Sequence, residues 1–198
     1  MVKRLEMIER ECSEQINRFG LIFRAVELET TQQSGLSLTA IDLDQLFEHS
    51  IPHWQKQASQ RGLTLEVLLP QHLPSVMTDP TMLNQTLTSL IERSARSLPS
   101  GSTIQVEATI AGHQLKLQVE TRAAQDAGAS KPHSPLLKSL GQILMFQPET
   151  GSISLNLAVT KNLFQAMGGK MIVRQREEEG EVLTIFLPIE RSRSPHKP

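Results

Sequence analysis

Cysteine is almost missing from this chain. Cys12 is the one cysteine in 198 residues, which excludes an internal disulfide and any cysteine-cluster metal site. There is no tyrosine and one tryptophan, too few rings for a platform that stacks single-stranded nucleic acid. Charge of one sign is also lacking: 20 Lys and Arg balance 21 Asp and Glu, for a net charge of -1. With a pI near 6.6 there is no long-range pull towards nucleic acid or anionic lipid. No apolar run approaches membrane-spanning length, and the opening Met-Val-Lys-Arg-Leu-Glu lacks the apolar core of a signal peptide. A cytoplasmic protein with neither nucleic acid nor membrane as partner is the expectation. This length can bury one core of ordinary size, with room for a helical appendage.

What is present is organised around residues 79–101. Met82, Leu83, Thr86, Leu87, Leu90, Ile91 and Ser94 recur at helical spacing and form one apolar-to-small stripe, as a helix packed on a sheet requires. Asp79 reads as the N-cap, because its carboxylate accepts from orphan amides, and Pro80 as the first helical residue, where no donor is needed. Leu98-Pro99-Ser100-Gly101 stops the helix, and the alternation from Thr103 to Glu107 reads as a strand.

Residues 1–31 carry Leu5, Ile8, Cys12, Ile16, Phe19, Phe23 and Val26 at three- and four-residue steps. The pattern predicts an amphipathic helix, long for a globular domain and typical of a bundle or coiled coil. Two destinations are open to its stripe: its own domain, or the same helix of a second chain. The second is preferred, since the following domain has its own core to fill. Residues 32–38 read as a linker, residues 39–190 as the domain, and the Arg-, Ser- and Pro-rich residues 191–198 as a disordered tail.

Within the domain, Ile41-Asp42-Leu43 opens a helix capped by Asp42, with Leu43, Leu46, Phe47, Ile51, Trp54 and Ala58 buried and Gly62 at its end. His49 and His53 stand four apart on it, a metal-ligand spacing, but no third ligand joins them and solvated surface is the ordinary reading. No metal is expected. Residues 63–68 alternate as a strand, and residues 73–78 read as a short connection. Ile104–Ile110 and Leu115–Val119 form a hairpin around Gly112. Residues 123–135 read as a loop, and Leu136–Phe146 is apolar at helical spacing. A helix with Leu157, Val159, Leu163, Phe164 and Met167 ends at Gly168-Gly169. Two strands, Met171–Val173 and Val182–Pro188, close the sheet around the acidic turn 177–180.

The run from Arg4 to Val106, with its Leu73-Pro74 connection, Asp79-Pro80 helix start and Pro99-x-Gly101 stop, resembles the catalytic and ATP-binding domain of sensor histidine kinases. The Gly168-Gly169 cap extends the likeness to nearly the whole chain. The resemblance implies the GHKL ATPase fold, an α/β two-layer sandwich with a mixed sheet covered by helices on one face, behind the second helix of a dimerisation hairpin. The phosphoacceptor histidine would sit on the first helix of that hairpin, and the chain is expected to start beyond it.

The resemblance also marks the nucleotide site, and there the residues differ from the family pattern. Two asparagine positions and the basic position on the 79–97 helix hold Ser89, Arg93 and Arg96. The adenine-reading aspartate position holds Thr121, and its two companion glycines fall on Ala123 and Gln125. The second glycine box, an anion cradle at a helix start in the family, holds Ser152, Ser154 and Asn156. Two readings of Arg93 are open: it points outward or pairs with Glu92 or Glu120, or its guanidinium takes the place of the metal and holds a phosphate.

Three functions follow as expectations. The first is a non-catalytic, dimeric histidine kinase-like module acting through protein contacts in two-component signalling, with no catalytic residue, no cofactor, and a response regulator or histidine kinase as partner. The second is a divergent or fragmentary sensor kinase that still binds ATP and magnesium and transfers phosphate to a histidine. The third is a histidine phosphotransferase-like protein, for which no phosphoacceptor histidine stands in a suitable context.

Overall fold

The computed structural model describes residues 16, 20, 22, 38–124, 138–140, 144–147, 152–176 and 180–190, of which 138–140, 144–147, 152–155 and 176 are described by backbone alone. The elements in chain order are β1 (Thr39–Ile41), α1 (Leu43–Gln60), β2 (Thr64–Leu68), β3 (Val76–Thr78), α2 (Pro80–Ser97), β4 (Thr103–Ala111) and β5 (Gln114–Arg122). They continue with β6 (Lys138–Leu140), β7 (Leu144–Gln147), β8 (Ser152–Leu155), α3 (Leu157–Ala166), β9 (Lys170–Arg176) and β10 (Gly180–Pro188). The main sheet has the order β2-β4-β5-β10-β9, mixed because β2 and β4 are parallel while the other pairs are antiparallel.

The core lies between this sheet and the helices. Along β4, β5 and β10 every second residue is buried: Ile104, Val106 and Ala108; Leu115, Leu117 and Val119; Leu183, Ile185 and Leu187. All seven stripe residues of α2 are buried against that face, together with Ala95. Thr86 is tolerated there because its hydroxyl donates to the Met82 carbonyl at 2.7 Å. The Asp79 cap accepts from the Met82 amide at 2.9 Å, with Pro80 in the first turn. α1 is locked beside α2 by three side-chain hydrogen bonds: Ser50 to Asn84 at 2.8 Å, Trp54 to Thr88 at 2.9 Å and Gln57 to Glu92 at 3.1 Å. Trp54 also packs edge-on against Phe47, ring centroids 6.0 Å apart.

The α3 terminus shows why two glycines stand together. Gly168 has φ +79, and the Gly169 amide returns to the Phe164 carbonyl at 2.8 Å, a Schellman closure. A side chain on Gly169 would lie 2.6 Å from the Phe186 carbonyl, so the cap also lets α3 approach β10.

Three sequence expectations need correction. The connection 73–78 contains a strand, β3, which pairs antiparallel with β1 just ahead of the Asp42 cap. These strands have three residues each, too short for alternation to announce them. The described residues of the stretch Leu136–Phe146 are strands, not helix: β6, and β7 which runs on to Gln147, pair in a three-stranded sheet with β8. Short apolar runs carry no decisive period, and strand pairing settles this one. The helix-start glycine box is also different, since residues 152–155 form β8 and only Asn156 stands at the helix start.

Candidate functional site

One end of the sheet closes the core with polar groups instead of aliphatic ones. Inward-facing positions on β5 run Leu115, Leu117, Val119, Thr121, and on β10 they run Leu187, Ile185, Leu183, Glu181. Period two therefore carries a hydroxyl and a carboxylate into the phase that elsewhere holds the core. Across from them, Arg93 descends from α2 one turn before its end.

These three residues form one cluster. The Arg93 guanidinium donates to both Glu181 oxygens, Nη1 to Oε2 at 2.9 Å and Nη2 to Oε1 at 3.4 Å. Each side chain is about a fifth exposed, so the pair is largely withdrawn from water. Thr121 uses its hydroxyl twice on the backbone of the same glutamate, accepting from the Glu181 amide at 2.9 Å and donating to its carbonyl at 3.2 Å. The side chain thereby extends the β5-β10 ladder by one residue beyond Val182 and Glu120. Gly180, with φ +114, makes room for this: a Cβ there would lie 2.7 Å from the Thr121 hydroxyl. Thr121 holds the strand start, the strand start aims Glu181, and Glu181 clamps Arg93.

The remaining site positions are distributed around this cluster. Ser89 is half-buried on α2. Arg96 pairs with Glu92 one turn earlier at 3.7 Å, acid before base as the helix dipole favours. Ala123 follows β5 directly, and the next residue is anchored by the Ala124 amide donating to Ser102 Oγ at 3.2 Å. Asn156 caps α3, its side chain accepting from the Ala158 amide at 3.0 Å. Gln125 lies outside the described residues, and Ser152 and Ser154 are placed as β8 backbone. Sequence reasoning gave Arg93 the wrong partner. Glu120 lies on the opposite face, where its carboxylate accepts from Arg122 Nε at 3.2 Å, and Glu92 is engaged with Gln57 and Arg96. Glu181 was missed, although its in-phase position before Leu183 and Ile185 was the available signal.

His49 and His53 do not converge. His49 Nδ1 lies 2.8 Å from the Gln45 carbonyl, and His53 Nε2 lies 3.0 Å from Gln57 Nε2. No group of three or more His, Cys, Asp or Glu gathers among the described residues. Of the dimer-helix residues, Ile16 is helical and 69% exposed, while Leu5, Ile8, Cys12, Phe19, Phe23 and Val26 lie outside the described residues. Ile22 of the same segment packs against the domain core. No helix among the described residues is long and apolar enough to cross a membrane.

No family model matches the chain. Individual proteins do. The chain is 45% identical over 197 residues to sensor histidine kinase Hik34 of Synechocystis, covering 98% of this chain and 41% of that protein. It is 26% identical over 166 residues to sensor histidine kinase ZraS of Escherichia coli K12, covering 84% of this chain and 34% of ZraS. The chain is homologous to sensor histidine kinases. It spans well under half the length of these curated kinases. Solved histidine kinases share its fold: full-length ShkA in complex with AMPPNP has a TM-score of 0.65 at 19% identity, over 98% of this chain and 40% of that one. Acinetobacter baumannii AdeS gives 0.60 at 17% identity, over 96% and 82%. The nucleotide-free catalytic domain of ThkA gives 0.58 at 16%, over 77% and 95%. The kinase-type catalytic fold, mixed sheet with helices on one face, is thereby established for this chain.

Proposed function

We propose that this chain is a non-catalytic signalling module with a histidine kinase fold, working through protein contacts in a two-component system. The observation that carries the reading is the Arg93–Glu181–Thr121 cluster. At the position where the resemblance puts a magnesium-binding amide, a guanidinium supplies no oxygen ligand, and magnesium requires oxygen in near-octahedral geometry. Thr121 stands at the adenine-reading position with its one proton and one of its lone pairs engaged by Glu181, and it carries no carboxylate charge to strengthen a bond to an amino group. The residues present do not fit a magnesium-bound nucleotide. Isothermal calorimetry of the purified chain with magnesium-ATP is expected to show no binding, and magnesium-dependent binding would overturn the reading. Stronger binding of nucleotide without magnesium would instead favour an arginine that holds phosphate directly.

A second reading, a divergent sensor kinase that retains ATP, is favoured by the 45% identity to Hik34 across almost the entire chain. The same calorimetry separates the two. For assembly, we propose that residues 1–31 pair with the same segment of a second chain, and that a response regulator or histidine kinase is the signalling partner. Ile16, an exposed apolar side chain on a helix, supports the pairing, whereas Ile22 on the core supports a helix held by its own domain. Light scattering is expected to give a dimer that Phe19→Ala with Phe23→Ala dissolves; a monomer at high concentration would exclude it.

A further inference from the structure

The sheet face turned away from the helices is built in two unlike halves. On β2 and β4 its outward positions are mainly polar, Glu66, Gln105, Glu107 and Thr109, with the exposed Leu68 at the end of β2 as the apolar exception. On β10 and β9 the alternation fails. Val182 and Phe186 are outward on β10, interleaved with the inward Leu183, Ile185 and Leu187, and Ile172 is outward on β9 beside Thr184. A strand apolar on both sides is a strand covered on both sides. The helical layer covers only the inward side of β10; on the outward side Val182 is buried, while Phe186 and Ile172 keep partial exposure.

The outward side is concave and cationic at its margins. A shallow concavity of about 410 Å³ is floored by Ile172, Val182 and Phe186, with Lys116 on β5 and Arg174 on β9 along its rim. In register, Phe186 lies opposite Lys116, and Val182 lies opposite Arg174. Among the described residues no carboxylate lines the concavity. Its nearest acid by register is Glu120, opposite Val182, and that carboxylate is held by Arg122 at 3.2 Å. Lys116 and Arg174 form no ion pair among the described residues.

We propose that this concavity is a docking site for an acidic amphipathic segment of a partner protein. Apolar side chains of the segment cover the partly exposed Phe186 and Ile172 beside the buried Val182, and its carboxylates meet Lys116 and Arg174. An apolar centre ringed by complementary charge is the ordinary anatomy of a protein interface. Nucleic acid is the poorer fit, because among the described residues Phe186 is the one ring lining the concavity and the chain carries no net positive charge. The site is on the face opposite the Arg93–Glu181 cluster, so it stands whether or not nucleotide binds.

The test uses the full chain and a fluorescently labelled synthetic helical peptide with Leu and Phe on one face and Glu on the other, read by anisotropy. Binding is expected, weakening as salt is raised, and K116E with R174E should reduce it by about tenfold or more at unchanged melting temperature. The pair K56E with K161E, exposed lysines on α1 and α3, makes the same charge change elsewhere and should leave affinity intact. If charge reversal lowers the melting temperature, K116Q with R174Q takes its place, with an expected loss of roughly threefold. No binding of the acidic peptide, an equal loss in the K56E/K161E control, or an oligonucleotide that binds more tightly through Lys116 and Arg174 would each overturn the proposal.

Discussion

The two faces of α2 follow different rules. The face on the sheet is an uninterrupted stripe from Met82 to Ser94, where burial dictates residue type position by position. The face towards the end of the sheet carries Ser89, Arg93 and Arg96, each arginine paired with a glutamate, and it is there that the proposed reading places a departure from the kinase pattern. On that proposal one helix keeps its architecture while exchanging its chemistry, because packing needs a stripe and a site needs only a few side chains.

The sharpest way to break this comparison is through the stripe. Leu90→Ala removes a side chain that is 2% exposed at the centre of the helix-sheet interface. A loss of about 3 kcal/mol in urea unfolding is expected, from transfer and cavity terms together. A loss below about 1 kcal/mol would mean that α2 packs loosely and the stripe does not hold the fold.

Next in size is the polar end. Glu181→Ala leaves the Arg93 guanidinium four-fifths buried without its carboxylate, at an expected cost of about 1–2 kcal/mol after discounting for the water that still reaches the pair. Replacing both residues, as in Arg93→Met with Glu181→Leu, is expected to recover most of that loss, since a desolvated pair gains little over apolar packing. A double-mutant cycle measures the difference; additive losses would show that the two side chains are not coupled. Restoring Asn at Ser89 and Arg93 is expected not to create magnesium-ATP binding, because Thr121 and Ala123 remain as they are.

What could be read in advance follows the same division. The caps at Asp42 and Asp79, the stop at Gly62, the Gly168-Gly169 closure and the α2 stripe announce themselves because local backbone chemistry or burial fixes each residue type. β1 and β3 do not, because three residues hold no period and their pairing joins segments nearly forty positions apart. Leu136–Phe146 misleads for the related reason that an apolar run satisfies both periods until a partner strand selects one. The site was legible as a set of positions but not as a contact: Arg93 and Glu181 are 88 residues apart, and no local signal joins them.

The smallest expected effect tests whether the polar cluster owes its role to burial or merely to ion pairing. Arg122 and Glu120 form another Arg–Glu contact, at 3.2 Å, on the outward face of the same sheet. There the arginine is 55% exposed, whereas Arg93 is 21% exposed. Glu120 is itself withdrawn, at 11% exposed, but water reaches Arg122 and leaves it free to reorient, so Arg122→Gln is expected to change stability by less than about 0.5 kcal/mol. Raising salt should shrink even that difference, while the Glu181→Ala loss should persist. Equal losses at the two sites would mean that withdrawal from water contributes nothing to the Arg93–Glu181 clamp, and the distinction between the two faces of the sheet would fail with it.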